Sequence, residues 1–265
     1  MPFANVNGTT IHYSDTGSGL PLVLIHGIGA TLKMWHPQIK EFSKQYRVIA
    51  IDVRGVGKSG ELTGWTKIVE RQTKDLVCLL QYLDIEKAVI CGVSYGGIFA
   101  QRFVLDYPEK CFALCVIDSY STTRPQNVKE FLWLVNNYLG APSNLLPKKW
   151  LSAAMRMVYK KWPEAARCLS EVTLELRGVE TMKTRLAINY IDYLPELNRI
   201  TIPTFCAVGE PSWWLAVSFM QKTADTIPGC DKLHIIHNSF DPSNLCQIDV
   251  FNKLLHSFLK KLRTV

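Results

Sequence analysis

The residues best suited to chemistry are Gly92-Val93-Ser94-Tyr95-Gly96, between the apolar run Lys87 to Val93 and the helical pattern Gly96 to Asp106. A serine on a sharp strand-to-helix turn holds its Oγ clear of the sheet, and only small neighbours permit that turn. The amide of Tyr95 then points into the same space. A nucleophile beside an N–H donor is what acyl transfer asks for, since the donor stabilises the oxyanion of the tetrahedral intermediate. A packing serine in a glycine-rich turn is the plain alternative, but the place after a third buried strand favours the nucleophile. His26-Gly27-Ile28-Gly29 ends the first buried run and offers the Ile28 amide as a second oxyanion donor. His26 itself, just ahead of a glycine turn, fits a loop-fixing hydrogen bond better than a general base.

Asp52-Val53-Arg54-Gly55-Val56-Gly57-Lys58-Ser59 contains G-x-G-K-S. The phosphate-binding spacing needs a glycine where Asp52 stands, so this stretch is expected to be a structural turn.

The elements that must position these groups alternate. Phe3 to Val6, Asn7-Gly8 and Thr9 to Ser14 predict a β-hairpin, because Asn-Gly supplies the positive φ angles of a tight turn. Short apolar strands follow at PLVLIHG, RVIAIDV (47–53), KAVICGV (87–93), CFALCVID (111–118) and TIPTFCAVG (201–209), with DKLHIIH (231–237) as a sixth. Helical patterns cover 32–45, 68–83, 96–106, 214–226 and 249–262. The fold class is therefore α/β: a mostly parallel sheet with helices on both faces. The alternation breaks between Asp118 and Ile200, where proline and glycine punctuate three or four helices. We expect a helical cap over 122–198, inserted into a core formed by 1–121 and 199–265. Its apolar load, including Phe131, Leu132, Trp133, Leu139, Trp150, Met155 and Met157, is expected mostly to pack the cap on the core, with some residues lining an apolar pocket.

HG-x-G at His26 to Gly29, D-x-R-G-x-G-x-S at Asp52 to Ser59 and G-x-S-x-G-G at Gly92 to Gly97 occur in a familiar order and spacing. With the cap after the sixth family strand, the chain resembles α/β-hydrolase-fold proteins of the esterase, haloperoxidase-like and lactonase group over essentially its whole length. The resemblance implies Ser94 as nucleophile, an acid after strand seven and a histidine after strand eight.

Both partners depart from that pattern. Ser212 stands at the acid position, and counting back from Val250-Phe251-Asn252 puts Asp241 at the histidine position. An ordinary carboxylate, with a pKa of about 4, is a poor acceptor for a serine proton, whereas a histidine near 6.5 is suited to it. His237, four residues earlier, is a possible substitute base, and Asp118, at the end of the sixth strand, a possible substitute acid. Glu210 neighbours the expected acid position. The resemblance implies a serine hydrolase of the carboxylic ester or lactone class with weak or absent turnover. The alternative is a catalytically inactive member acting as a ligand- or protein-binding module; a cofactor-independent lyase or oxygenase comes third.

The 265 residues, 48% hydrophobic and 20% charged, suffice for a sizeable core. The net charge of +7 comes from scattered cations, densest at Lys148-Lys149, Lys160-Lys161 and Lys260-Lys261-Arg263, without the basic aromatic stripe of a nucleic-acid binder. The eight cysteines form no CxxC pair and read as reduced core thiols. There is no basic leader with an apolar run and no membrane-length apolar segment, so we expect a cytoplasmic protein without membrane, cofactor or metal. Its expected partner is a small apolar ester- or lactone-like molecule.

Overall fold

Asn7 and Gly8 adopt φ angles of 47° and 67°. The tight turn they form joins β1 (Phe3–Val6) to β2 (Thr9–Thr16) as an antiparallel pair. A computed structural model describes residues 1–213 and 215–262 of the chain. The remaining strands are β3 (Pro21–Ile25), β4 (Arg47–Ile51), β5 (Ala88–Val93), β6 (Cys111–Ile117), β7 (Thr204–Glu210) and β8 (Cys230–His237). They form one sheet in the order β1-β2-β4-β3-β5-β6-β7-β8. The β1–β2 and β2–β4 pairs are antiparallel and all the others parallel.

The inner strands read as unbroken apolar runs because both faces are covered. Val23, Ile25, Ile49, Ile51 and Ile90 pack into one core, while Leu22, Leu24, Val48, Ala50, Val89 and Cys91 pack into the other. The covering helices are α1 (His36–Phe42), α2 (Ile68–Tyr82) and α3 (Tyr95–Asp106); α4 (Val128–Gly140), α5 (Lys148–Val158), α6 (Pro163–Thr173) and α7 (Gly178–Ala187); then α8 (Ala216–Thr226), α9 (Ser243–Cys246) and α10 (Ile248–Leu262).

Three local details differ from the sequence expectation. The helix expected over 32–45 is a 3₁₀ turn, Leu32–Trp35, followed by α1, with Pro37 in its first turn. Such a proline has no N–H to leave orphaned there. The strand expected from Thr201 begins at Thr204, after Pro203, and the short α9 was not anticipated. Trp214, where the eighth helix was expected to start, and Arg263 of the last basic cluster lie outside the described residues.

The helices α4 to α7 lie between β6 and β7, and the chain leaves and re-enters through a narrow neck. Thr122 and Asp192 form an isolated antiparallel bridge, and the Tyr193 amide donates to the Ser121 carbonyl at 2.7 Å. One end of the cap is anchored by aromatic packing. The Trp133 ring lies 5.0 Å from that of Phe219 on α8 and stacks on Trp213 at 5.5 Å. Buried Glu130 pairs with Lys222 at 2.7 Å. The expectation that the cap's apolar residues mostly face the core needs correcting for Phe131, Leu132, Leu139, Trp150 and Met157, all of which are exposed. The inward faces of α4 and α5 are already filled by other residues.

Candidate active site

Ser94 lies between β5 and α3, capping the helix, with φ 54° and ψ −117°. For a residue other than glycine this backbone conformation costs on the order of 1–3 kcal/mol and persists only where its surroundings enforce it. Those surroundings are tight. A Cβ on Gly92 would sit 1.9 Å from the Gly96 carbonyl oxygen, and one on Gly96 would sit 2.1 Å from that of Ile25. The Ser94 amide is tied to the Ile117 carbonyl at 2.8 Å, fixing the turn to β6.

The loop after β3 lies against the serine, since a Cβ on Gly27 would meet Ser94 Cβ at 3.4 Å. His26 holds this loop from inside the protein. Its Nδ1 bonds the Gly27 carbonyl at 2.8 Å and its Nε2 accepts from the Val53 amide at 3.2 Å. Burial lowers its pKa, so the ring is neutral. Ile28 and Ser94 line the same cavity. Tyr95 is the first residue of α3, where an amide has no partner within its own helix.

Asp52 serves as the centre of a turn. Its carboxylate takes the Leu32 amide at 2.7 Å, the Lys58 amide at 3.2 Å and His12 Nδ1 at 2.6 Å. Arg54 forks onto buried Asp75, with its nearer nitrogen at 2.6 Å. The G-x-G-K-S run is thereby occupied with internal bonds.

Asp241 is brought to the nucleophile. The Ser94 hydroxyl and the Asp241 carboxylate face each other across a shared cavity of about 320 Å³, close enough for the hydroxyl to favour the charged carboxylate. Burial first, then the charge of Asp118, pushes the Asp241 carboxyl well above the usual carboxylate range; the Ser94 hydroxyl and the Arg185 charge act in the opposite direction. Asp118, at φ 48°, is buried behind it. Its Oδ1 accepts from the Gly209 amide at 2.7 Å and its Oδ2 from the Ser243 amide at 2.6 Å. Burial raises its pKa to about 6, with the two amides pulling the other way.

Two expected positions are not drawn in. His237 pairs with Glu210 at 3.0 Å, and its side chain is 78% exposed. The reason is that β8 continues through His237 in register with Glu210, so no loop exists to turn the imidazole inward. The Ser212 hydroxyl is buried without a hydrogen-bond partner among the described residues, and it does not reach Asp241. The chain has six histidines, all described, and none lines the cavity.

Two cavity residues escaped the sequence reading. The Tyr159 hydroxyl from the end of α5 donates to the Asp241 backbone carbonyl. Arg185 of α7 lines the cavity, and its buried Nε has no hydrogen-bond partner among the described residues. Neither carries a local motif; each is one of several like residues in the cap. Apolar Met34, Leu151, Met155, Leu169 and Leu176 complete the walls.

A serine elbow, a glycine loop against it and a capped cavity on a mostly parallel sheet are now in place. The family described as alpha/beta hydrolase fold matches residues 21–213. The chain belongs to that family. This hydrolase-fold chain is 25% identical to a putative carbamate hydrolase of Azorhizobium caulinodans, over 97% of its own length and 98% of the relative's. It is 26% identical to 3-oxoadipate enol-lactonase 2 of Acinetobacter baylyi, over 91% and 88%. Among solved structures, a thermophilic esterase from Thermogutta terrifontis superposes with a TM-score of 0.84 at 23% identity, over 98% of both chains. The enol-lactonase from Burkholderia xenovorans gives 0.82 at 23%, over 98% of this chain and all of its own. These relatives and neighbours are hydrolases of the same superfamily, in keeping with a serine-hydrolase assignment for this chain.

Proposed function

We propose that the chain hydrolyses small carboxylic esters or lactones through Ser94, with the Asp241 carboxylate as its proton acceptor. The observation that carries this is the placement of the Ser94 hydroxyl and the Asp241 carboxylate together in the capped cavity. In the first half-reaction Oγ attacks the carbonyl carbon while its proton passes to Asp241. The amides of Ile28 and Tyr95 take the oxyanion, and the leaving alkoxide collects the proton from Asp241. In the second half, Asp241 accepts a proton from water as the hydroxide attacks the acyl carbon. Collapse returns the proton to Ser94 and releases the acid.

A carboxylate of ordinary basicity would perform this badly, because proton transfer is most effective when the base titrates near the working pH. Burial and the neighbouring Asp118 supply part of the missing basicity. The free Nε of Arg185 offers a donor to a polar group of the bound molecule. The names of the enol-lactonase and esterase relatives agree with the ester and lactone class. The absence of any histidine from the cavity favours a second reading, a binding module that retains the pocket without turnover.

Fluorophosphonate labelling separates the two. The unmodified chain is expected to label at Ser94, more slowly than a histidine-based esterase, with labelling lost in Ser94→Ala and in Asp241→Asn. If the unmodified chain is inert and only Asp241→His labels, the binding reading stands in its place.

A further inference from the structure

The outer face of the cap has no packing partner among the described residues. Of the exposed large apolar residues on the molecule, Val128, Phe131, Leu132 and Leu139 fall on α4 and Trp150, Met157 and Val158 on α5, with Leu145 and Leu146 in the turn between them. At about 100° per residue, those on α4 lie along one side of the helix, as do Trp150 and Met157 on α5. Trp150 is 68% exposed and Met157 75%. The opposite side of α4 is the one whose Trp133 and Glu130 anchor the cap, and α5 turns Leu151 and Met155 to the cavity. Both helices are thus apolar on two sides, and a core explains only one.

Cations are scattered along the whole chain, but this segment almost lacks acids to balance them. Residues 119–163 hold seven lysines and arginines and a single acid, Glu130, so this stretch carries +6 of the chain's +7. The acid is buried against Lys222, whereas Lys129, Lys148, Lys149, Lys160 and Lys161 are exposed. Two copies meeting face to face through this surface would bring like charges together. An anionic surface with an apolar interior satisfies both features, since lysines meet headgroups while tryptophan and aliphatic side chains enter the boundary below them.

We propose that the outer face of α4 and α5 docks on the surface of anionic lipid membranes. This differs from the sequence expectation of no membrane partner, which considered only segments long enough to span; adsorption needs none. The inference is independent of the chemistry at Ser94. The contact positions the cap helices that wall the cavity at the lipid boundary.

Co-sedimentation of the full chain with vesicles provides the test, using phosphatidylcholine alone and phosphatidylcholine with about 30% phosphatidylserine at ~0.1 M salt. Binding is expected only to the anionic vesicles and is expected to weaken as salt rises. Trp150→Ser with Met157→Ser should reduce it at least tenfold, and Lys148→Gln with Lys149→Gln by roughly fivefold per charge. Both variants replace exposed residues, and unchanged thermal melts would show that they remain folded. Equal binding to neutral and anionic vesicles, or no binding to either, would overturn the proposal. So would a dimer in sedimentation velocity that the Trp150→Ser, Met157→Ser variant dissociates, because the face would then belong to a second copy.

Discussion

Asp118 lies close enough to Asp241 for its charge to raise the latter's pKa, yet both of its own oxygens are engaged by backbone amides, of Gly209 and Ser243. In a histidine-based triad the acid orients the base by accepting a hydrogen bond from its ring N–H. Here the second carboxylate spends its oxygens on backbone amides and acts on Asp241 through charge.

The reactivity of Ser94 should therefore follow the ionisation of Asp241. Labelling by a fluorophosphonate is expected to rise with pH, with a midpoint above the ordinary carboxylate range of about 4. Asp118→Asn removes the charge that raises Asp241 and should move the midpoint down. A pH–rate profile with the same midpoint in both proteins would separate Asp118 from this role.

Arg185 acts in the opposite sense, since its charge lowers the Asp241 pKa. Arg185→Met is expected to shift the same midpoint upward, so that the variant labels more slowly than the parent at pH 6 and converges with it at high pH. Convergence distinguishes a charge effect from a collapsed pocket, which would depress labelling at every pH.

Asp241→His places the usual base in the cavity that the Ser94 hydroxyl also lines. With p-nitrophenyl butyrate, kcat/KM should increase by about 100-fold, the lower end of what a well-matched general base contributes. Titration of the gained activity should centre near 6.5, the ordinary histidine value. No gain in a folded variant would mean that the oxyanion loop, and not the base, is the defective part.

The buried carboxylate pair also costs stability at neutral pH. Asp118 has a folded-state pKa of about 6, above its unfolded value near 3.9. A carboxyl raised in this way binds more protons when folded, so its contribution is most favourable below the unfolded pKa and is lost as pH rises through about 6. Thermal melts should show this part of the stability declining between about pH 4 and 6, and Asp118→Asn should remove that decline.

Gly92→Ala tests the elbow itself. The new Cβ would meet the Gly96 carbonyl oxygen at 1.9 Å, and backbone on both sides leaves no soft neighbour to move. A loss of ~3 kcal/mol in urea unfolding is expected, at the upper end of the cost of overpacking.

The sheet was legible because its inner strands are buried on both faces, so composition alone marks them; the six apolar runs from Pro21 to His237 all became strands. Asp241 was legible for a different reason: the stretch between it and α10 needs no gap when counted back, although the short α9 within it gives no periodic signal. His237 misled because nearness in sequence to Asp241 says nothing of where a strand ends. Arg185 and Tyr159 reach the cavity through the rotation of cap helices, which depends on tertiary packing. The outward side chains of α4 and α5 were misread on the same account: apolar residues on two sides of a helix look the same in sequence as those of a fully buried one.

The bridge between Thr122 and Asp192 gives the molecule a division of labour. Some seventy residues leave and re-enter the sheet through one pair of neighbouring strand-like segments, so a change in their length need not shift any strand register beneath them. The nucleophile and its glycine loop lie below that neck; the surroundings, and the Arg185 charge that tunes Asp241, lie above it. A relative's cap grafted between these two residues would exchange what the protein meets and, with Arg185, the pH at which Ser94 reacts.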